Sequence, residues 1–163
     1  TGTILDQKVR ILAEQFTPTD ATSIPTGEIL PVEGTPMDFR EFKEIGREIG
    51  ASYDQLIMAK GYDHNWVLDG YDGSLRLVAE AVDEKTGIGV EVYTDLPGVQ
   101  FYTGNYIDGT RPGKGGAKYQ ERAGYCFETQ YYPDAVNHPQ FPSPILPEGK
   151  EYHTVTVYKF TVR

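Results

Sequence analysis

The chain has 163 residues, 39% hydrophobic and 24% charged, with a formal net charge of -9. Such a chain supports one domain with a substantial core, and its composition argues against disorder. Its 15 Lys and Arg are scattered and outnumbered, which excludes nucleic acid as a partner, and no run of about 18 apolar residues exists to cross a membrane as a helix.

The chain is expected to be soluble, because its N-terminus also lacks the charged-then-apolar layout of a signal segment. A single cysteine, Cys126, cannot close an intramolecular disulfide, so a reducing compartment and a cytoplasmic address are the default expectation. The opening, Thr1-Gly2-Thr3, has no Met and reads as an internal loop of something longer, processed or truncated upstream.

From Leu5 to Ala13, Leu5, Val9, Ile11 and Ala13 alternate with Asp6, Lys8 and Arg10, the pattern of a half-buried strand. The following "FTPTDATSIPTGEILPVEGTP" is dense in turn formers, with one short extended piece near Glu28 to Val32. Asp38 and Glu41 offer a capping box, and Phe39, Phe42, Ile45 and Ile49 recur at helical spacing, which predicts one short helix from Phe39 to Ile49. Beyond "AKGYDHNWVLDG" the period returns to two. Leu75 to Ala81 and Ile88 to Val92 read as strands joined by the compact "DEKTG" connection. Val99 to Thr103, Gly124 to Thr129 and Tyr152 to Val162 add three more. Seven or so antiparallel strands with one short helix predict an all-β protein, an antiparallel β-sandwich, and no linker or repeat divides residues 1–163.

Four segments carry polar groups that a purely structural strand does not need: "GYDHNW", "PGVQFYTGN", "YCFET" and "DAVNHP". Asp63, His64 and Asn65 form a turn just before a strand on one reading. On the other, a carboxylate, an imidazole and an amide between Tyr62 and Trp66 suit a sugar, whose apolar face stacks on rings while its hydroxyls take hydrogen bonds. Gln100, between Val99 and Phe101, is either a solvent-facing strand residue or part of such a site, and His138 reads as a surface loop residue. Glu128 stands in an apolar stretch, beside Tyr125, Cys126 and Phe127, and either points at water or is used. The histidines His64, His138 and His153 and the lone Cys126 show none of the paired spacing of zinc sites, so no metal is expected. Neither a phosphate-cradling Gly loop nor a Gly-x-Ser-x-Gly elbow is present, and "RPGKGGAKY" reads as a mobile loop.

Taken in order, "IPTGEILPVEGTPMDFR", "GYDHNWVL", "EVYTDLPGVQFYTGNYIDGT", "GYCFETQYYPDAVNHPQFPSPIL" and "YKFTV" resemble the aldose 1-epimerase (galactose mutarotase) family over essentially the whole chain. The resemblance implies a large antiparallel β-sandwich, the mutarotase-like supersandwich, of which this chain is the C-terminal half. It further implies interconversion of the α and β anomers of free aldoses such as galactose or glucose, with no metal or organic cofactor. By the resemblance Glu128 matches the general base, Asp63 a carboxylate that holds sugar hydroxyls, and Gln100 a further sugar-binding residue. The apolar strand around Glu128 is expected to shield it from water. The family's general acid is a histidine of an upstream Asn-His motif with no counterpart here, and His64 matches a different histidine, that of the Asp-His-Asn motif. Two alternatives stand beside this reading: a non-catalytic carbohydrate-binding module, and an epimerase of phosphorylated hexoses, which the acidic balance disfavours. Expected partners are a small aldose and either the missing N-terminal half or a second copy of the chain, since a half-domain leaves open strand edges.

Overall fold

The computed structural model describes residues 2–162; Thr1, the opening of the chain, and Arg163 lie outside the described residues. Among the described residues the chain runs through β1 (Lys8–Ile11), β2 (Gln15–Thr17), β3 (Leu30–Pro31), β4 (Lys43–Glu44), the helix α1 (Asp54–Ala59), β5 (Asp63–Val67), β6 (Arg76–Val82), β7 (Ile88–Thr94), β8 (Gly98–Tyr102), β9 (Cys126–Gln130) and β10 (Thr156–Val162). The strands form two antiparallel five-stranded sheets, in the orders β10-β7-β6-β1-β4 and β3-β2-β5-β8-β9. This is the all-β sandwich with one short helix that the alternating patterns predict.

In the first sheet Val9 and Ile11, Ala79 and Ala81, and Val92 turn inward and are buried. The opposite face carries Arg10, Glu80, Glu91 and Lys159 in one cross-strand row, with Arg10 paired to Glu80 and Lys159 to Glu91. The exposed Lys159–Glu91 pair adds little stability, and the inward apolar face holds the sheet in place. In the second sheet Phe16, Trp66, Phe101 and Phe127 turn inward and meet Phe39 and Tyr62. Phe101 packs at 5.3 to 6.0 Å, centroid to centroid, from five other rings. The two polar handles in this cluster are satisfied: Trp66 Nε1 donates to the Met37 carbonyl (3.1 Å) and the Tyr62 hydroxyl to that of Pro36 (3.1 Å).

The helix predicted from Phe39 to Ile49 does not form. Lys43 and Glu44 instead pair with β1, and Ile45–Arg47 makes a single 3₁₀ turn. The Ile45 and Gly46 amides donate to the carbonyls of Gln7 and Leu5, where a Cβ on Gly46 would lie 2.9 Å from Leu5. Asp38 does not cap a helix; its carboxylate accepts from the Arg40 amide and guanidinium. Of the apolar residues at helical spacing, Phe39 and Ile45 are both buried in the one core without a helix between them. The helix that exists, α1, is six residues long and ends at Lys60, whose φ of 58° is left-handed. So short an element buries only Leu56 and Ala59, too few to produce a period.

Candidate functional site

The tripeptide Asp63-His64-Asn65 lies inside β5, not in a turn before it. Because side chains alternate across a strand, Tyr62, His64 and Trp66 enter the core while Asp63 and Asn65 take the other face. The register then decides what meets what: Asn65 stands opposite Gln100 on β8, and Gln100 opposite Glu128 on β9. Asp63, Asn65, Gln100, Glu128 and Gln130 therefore share the outer face of three adjacent strands, with Thr17 of β2 beside Asn65. The three residues singled out in the sequence, Glu128, Asp63 and Gln100, are brought to one surface.

That surface is bonded internally. Gln100 Nε2 donates to Asp63 Oδ1 (2.9 Å), and Gln130 Nε2 donates both to Gln100 Oε1 (2.9 Å) and to Asn65 Oδ1 (3.2 Å). Asn65 is 1% exposed, Gln100, Asp63 and Gln130 are half-buried, and Glu128 is exposed. The expected shielding of Glu128 by its aromatic neighbour is thus absent from this face: the pleat sends Phe127 to the core side, and Glu128 projects the other way. Cys126, two residues along the same face, has its thiol pushed up by desolvation, by the Glu128 charge and by a hydrogen bond to Glu128.

Sequence reasoning weighed Asn65 only as part of the Asp63-His64-Asn65 tripeptide and missed Gln130 as a member of this surface. The signal was available in part, since both continue the period of two that already held Asp63, Gln100 and Glu128. Gly98 explains why Asn65 fits: a Cβ there would sit 2.3 Å from Asn65 Oδ1 and 3.0 Å from the Tyr132 ring. Gly98→Ala is expected to displace Asn65 and lower stability by about 1–3 kcal/mol, read as a lower urea midpoint at unchanged slope.

His64 is on the wrong face to exchange protons with Glu128. It is fully buried among Phe16 and Trp66, and its Nδ1 accepts the Asp63 amide (3.2 Å). Burial pushes its pKa down to about 4. A folded pKa below the unfolded value of about 6.5 stabilises the fold above pH 6.5, and this contribution is lost as the pH falls from there towards 4. The loss is expected to reach about 3 kcal/mol, and a His64→Asn variant, which keeps an acceptor but cannot titrate, should show a flatter stability profile over that window. Equal profiles for the two proteins would contradict the assignment.

Among the described residues no group of three or more His, Cys, Asp and Glu side chains is placed to hold a metal ion. Among the described residues no helix is long and apolar enough to cross a membrane. A charged groove of about 560 Å³ lined by Asp38, Arg40, Lys43, Arg47 and Glu48 lies elsewhere, where Arg40 pairs with Asp38 (2.7 Å) and Lys43 with Glu48 (2.8 Å).

The aldose 1-epimerase family profile matches residues 1–159. The chain belongs to the aldose 1-epimerase family. It is 45% identical over 159 residues to the galactose mutarotase of Homo sapiens, an alignment covering 98% of this chain and 45% of the relative. Against the aldose 1-epimerase of Escherichia coli K12 the identity is 36%, over 96% of this chain and 45% of that protein. A crystal structure of the GalM/aldose epimerase homologue from C. elegans superposes with a TM-score of 0.84 at 27% identity, covering 98% of this chain and 47% of that one. The two-sheet sandwich is thus the mutarotase fold, and the chain spans about half the length of the curated relatives it matches.

Proposed function

We propose that this chain is the base-bearing, sugar-holding part of an aldose 1-epimerase that interconverts the α and β anomers of free hexoses such as galactose or glucose. Mutarotation requires the anomeric hydroxyl to lose a proton while the ring oxygen gains one; the ring opens, the C1–C2 bond rotates, and closure gives the other anomer. A base and an acid must therefore act on opposite ends of one bond system. Glu128 takes the anomeric proton and returns it on closure, while Asp63 and Gln100 hold hydroxyls. One observation carries this reading: these residues, far apart in sequence, share one polar face, with Gln100 directly opposite Glu128 and hydrogen-bonded to Asp63, its diagonal neighbour on β5.

A second reading, a non-catalytic carbohydrate-binding module, is favoured by the burial of His64 on the core side, which leaves β5 without an imidazole facing Glu128. Polarimetry of freshly dissolved α-galactose separates the two. The catalytic reading expects faster mutarotation when the N-terminal half of a relative is added to this chain. Binding of galactose with no acceleration in any combination supports the module.

The inter-sheet side of β10 bears on partners. Tyr158, Phe160 and Val162 are 46%, 78% and 83% exposed, although their register partners Val92 and Val90 belong to the core side of the first sheet. The remainder of a family-length domain, or a second copy of the chain, covers this apolar strip in the proposed assembly. The chain alone is expected to self-associate at tens of micromolar in sedimentation velocity, and Phe160→Lys to return it towards monomer. A monomeric unmodified chain would overturn this.

A further inference from the structure

The outer face of β5, β8 and β9 contains more ordered amide chemistry than the proposed sugar contacts use. We propose that Gln130 is a positioning residue that fixes the amide of Gln100 from the side opposite Asp63, and so sets which hydrogen-bonding groups this face offers to a sugar. The inference rests on the reading of this face as a sugar site, and it adds the residue that gives that site its hydrogen-bond polarity.

A carboxamide presents an acceptor at one end and two donors at the other, so its orientation is chemical information. Gln100 lies between an acceptor, Asp63 Oδ1 at 2.9 Å, and a donor, Gln130 Nε2 at 2.9 Å, and its two ends match both. Gln130 is itself anchored, because its Nε2 also donates to Asn65 Oδ1 at 3.2 Å. Asn65 is the fixed end of the relay: it is 1% exposed and its Oδ1 occupies the space that a Cβ at position 98 would need. It holds that orientation at a cost, since Asn65 Nδ2 is buried without a hydrogen-bond partner. Turning the amide over would set two NH₂ groups, those of Asn65 and Gln130, against each other. The direction of donation therefore runs from Gln130 to Gln100 to Asp63.

The consequence for a ligand follows from counting what remains. One Gln100 N–H goes to Asp63 and its carbonyl takes the Gln130 donor, which leaves its second N–H as the group to meet an oxygen lone pair of the sugar. Asp63 accepts from Gln100 through Oδ1 and has Oδ2 for a hydroxyl donor. A sugar hydroxyl that both donates to Asp63 and accepts from Gln100 satisfies the two at once. Without Gln130 the Gln100 amide is held from one side only, and the arriving sugar must restrict it. Gln130 lies on no reacting atom in this scheme, so its effect falls on sugar affinity and not on the proton transfers.

The test uses Gln130→Glu, which replaces the donor by an acceptor, and Gln130→Met, which removes hydrogen bonding at similar length. In this chain alone, the side-chain amide proton resonances of Gln100 are expected to shift in both variants, more in Gln130→Glu, where Gln100 lies between two carboxylates. With the N-terminal half of a relative added, KM for galactose is expected to rise about tenfold in Gln130→Glu, equivalent to about 1.4 kcal/mol of binding, with kcat changed far less. A fall in kcat at unchanged KM, unmoved Gln100 amide resonances, or a loss of folding stability in both variants with the KM of the folded fraction unaltered would overturn the positioning role. The underlying site is checked separately by Gln100→Ala. If that variant raises KM and the Gln130 variants do not, the relay is wrong and the sugar site stands; if neither Gln100→Ala nor Glu128→Gln alters binding or rate, the site itself is wrong.

Discussion

Glu128→Gln is expected to reduce mutarotation by a factor of roughly 10²–10⁴, the range that a positioned acid or base contributes, with little change in KM. The substitution preserves the shape of the side chain and removes its capacity to take a proton. Since the carboxylate is exposed on the outer face of β9 and no core contact depends on it, folding should be unaffected. The measurement is polarimetry of α-galactose with this chain and the N-terminal half of a relative, beside thermal unfolding of each variant. A retained rate in a folded variant would remove Glu128 from the role of base. A matched loss of rate and stability would show that the side chain is structural.

Phe101→Ala is expected to have the largest effect on the fold, about 3–5 kcal/mol, the usual penalty for truncating a buried aromatic ring. Phe101 is fully buried, stacks on Tyr62 (5.7 Å) and Phe127 (5.3 Å), and meets Phe39, Trp66 and Tyr125 edge-on. Against a total stability of about 5–15 kcal/mol for a typical domain, such a loss is a large fraction of the whole and reaches the unfolding midpoint at the low end of that range. Tyr158→Phe serves as the comparison. It removes one hydrogen bond, from the Tyr158 hydroxyl to the Phe127 carbonyl (2.6 Å), and should cost only about 1 kcal/mol. Chemical denaturation of the two variants ranks the ring cluster against the inter-sheet hydrogen bond; equal losses would mean that the cluster relaxes around the cavity. Because Gln100 and Glu128 are chain neighbours of Phe101 and Phe127, loosening the rings also blurs the face that carries them.

Much of the sandwich was legible because its longer strands alternate. The strands expected at 5–13, 75–81, 88–92, 99–103, 124–129 and 152–162 fall on β1, β6, β7, β8, β9 and β10, each with one apolar face. β2 and β4 were not legible, since two or three residues carry no measurable period and their pairing is fixed by partners elsewhere in the chain. β5 was missed for another reason: its inward residues are Tyr62, His64 and Trp66, and a histidine facing the core does not register as apolar. The segment 39–49 misled because Phe39, Phe42, Ile45 and Ile49 are spaced by three and four residues, while Lys43 and Glu44 are drawn into a strand by β1 and only Ile45–Arg47 makes a 3₁₀ turn.

The sequence by itself determined the family, the period-two architecture and the three polar residues Asp63, Gln100 and Glu128, because motif order and alternation are local properties of the chain. Only the tertiary structure decided which groups face one another. Cross-strand register sets Gln100 against both Asn65 and Glu128, and the pleat sends His64 into the core and leaves Glu128 exposed. It also shows that Gln130 and Asn65 hold the amide between them. Register depends on hydrogen bonds between strands that are distant along the chain, and a slip of one residue would send each of these side chains to the opposite face.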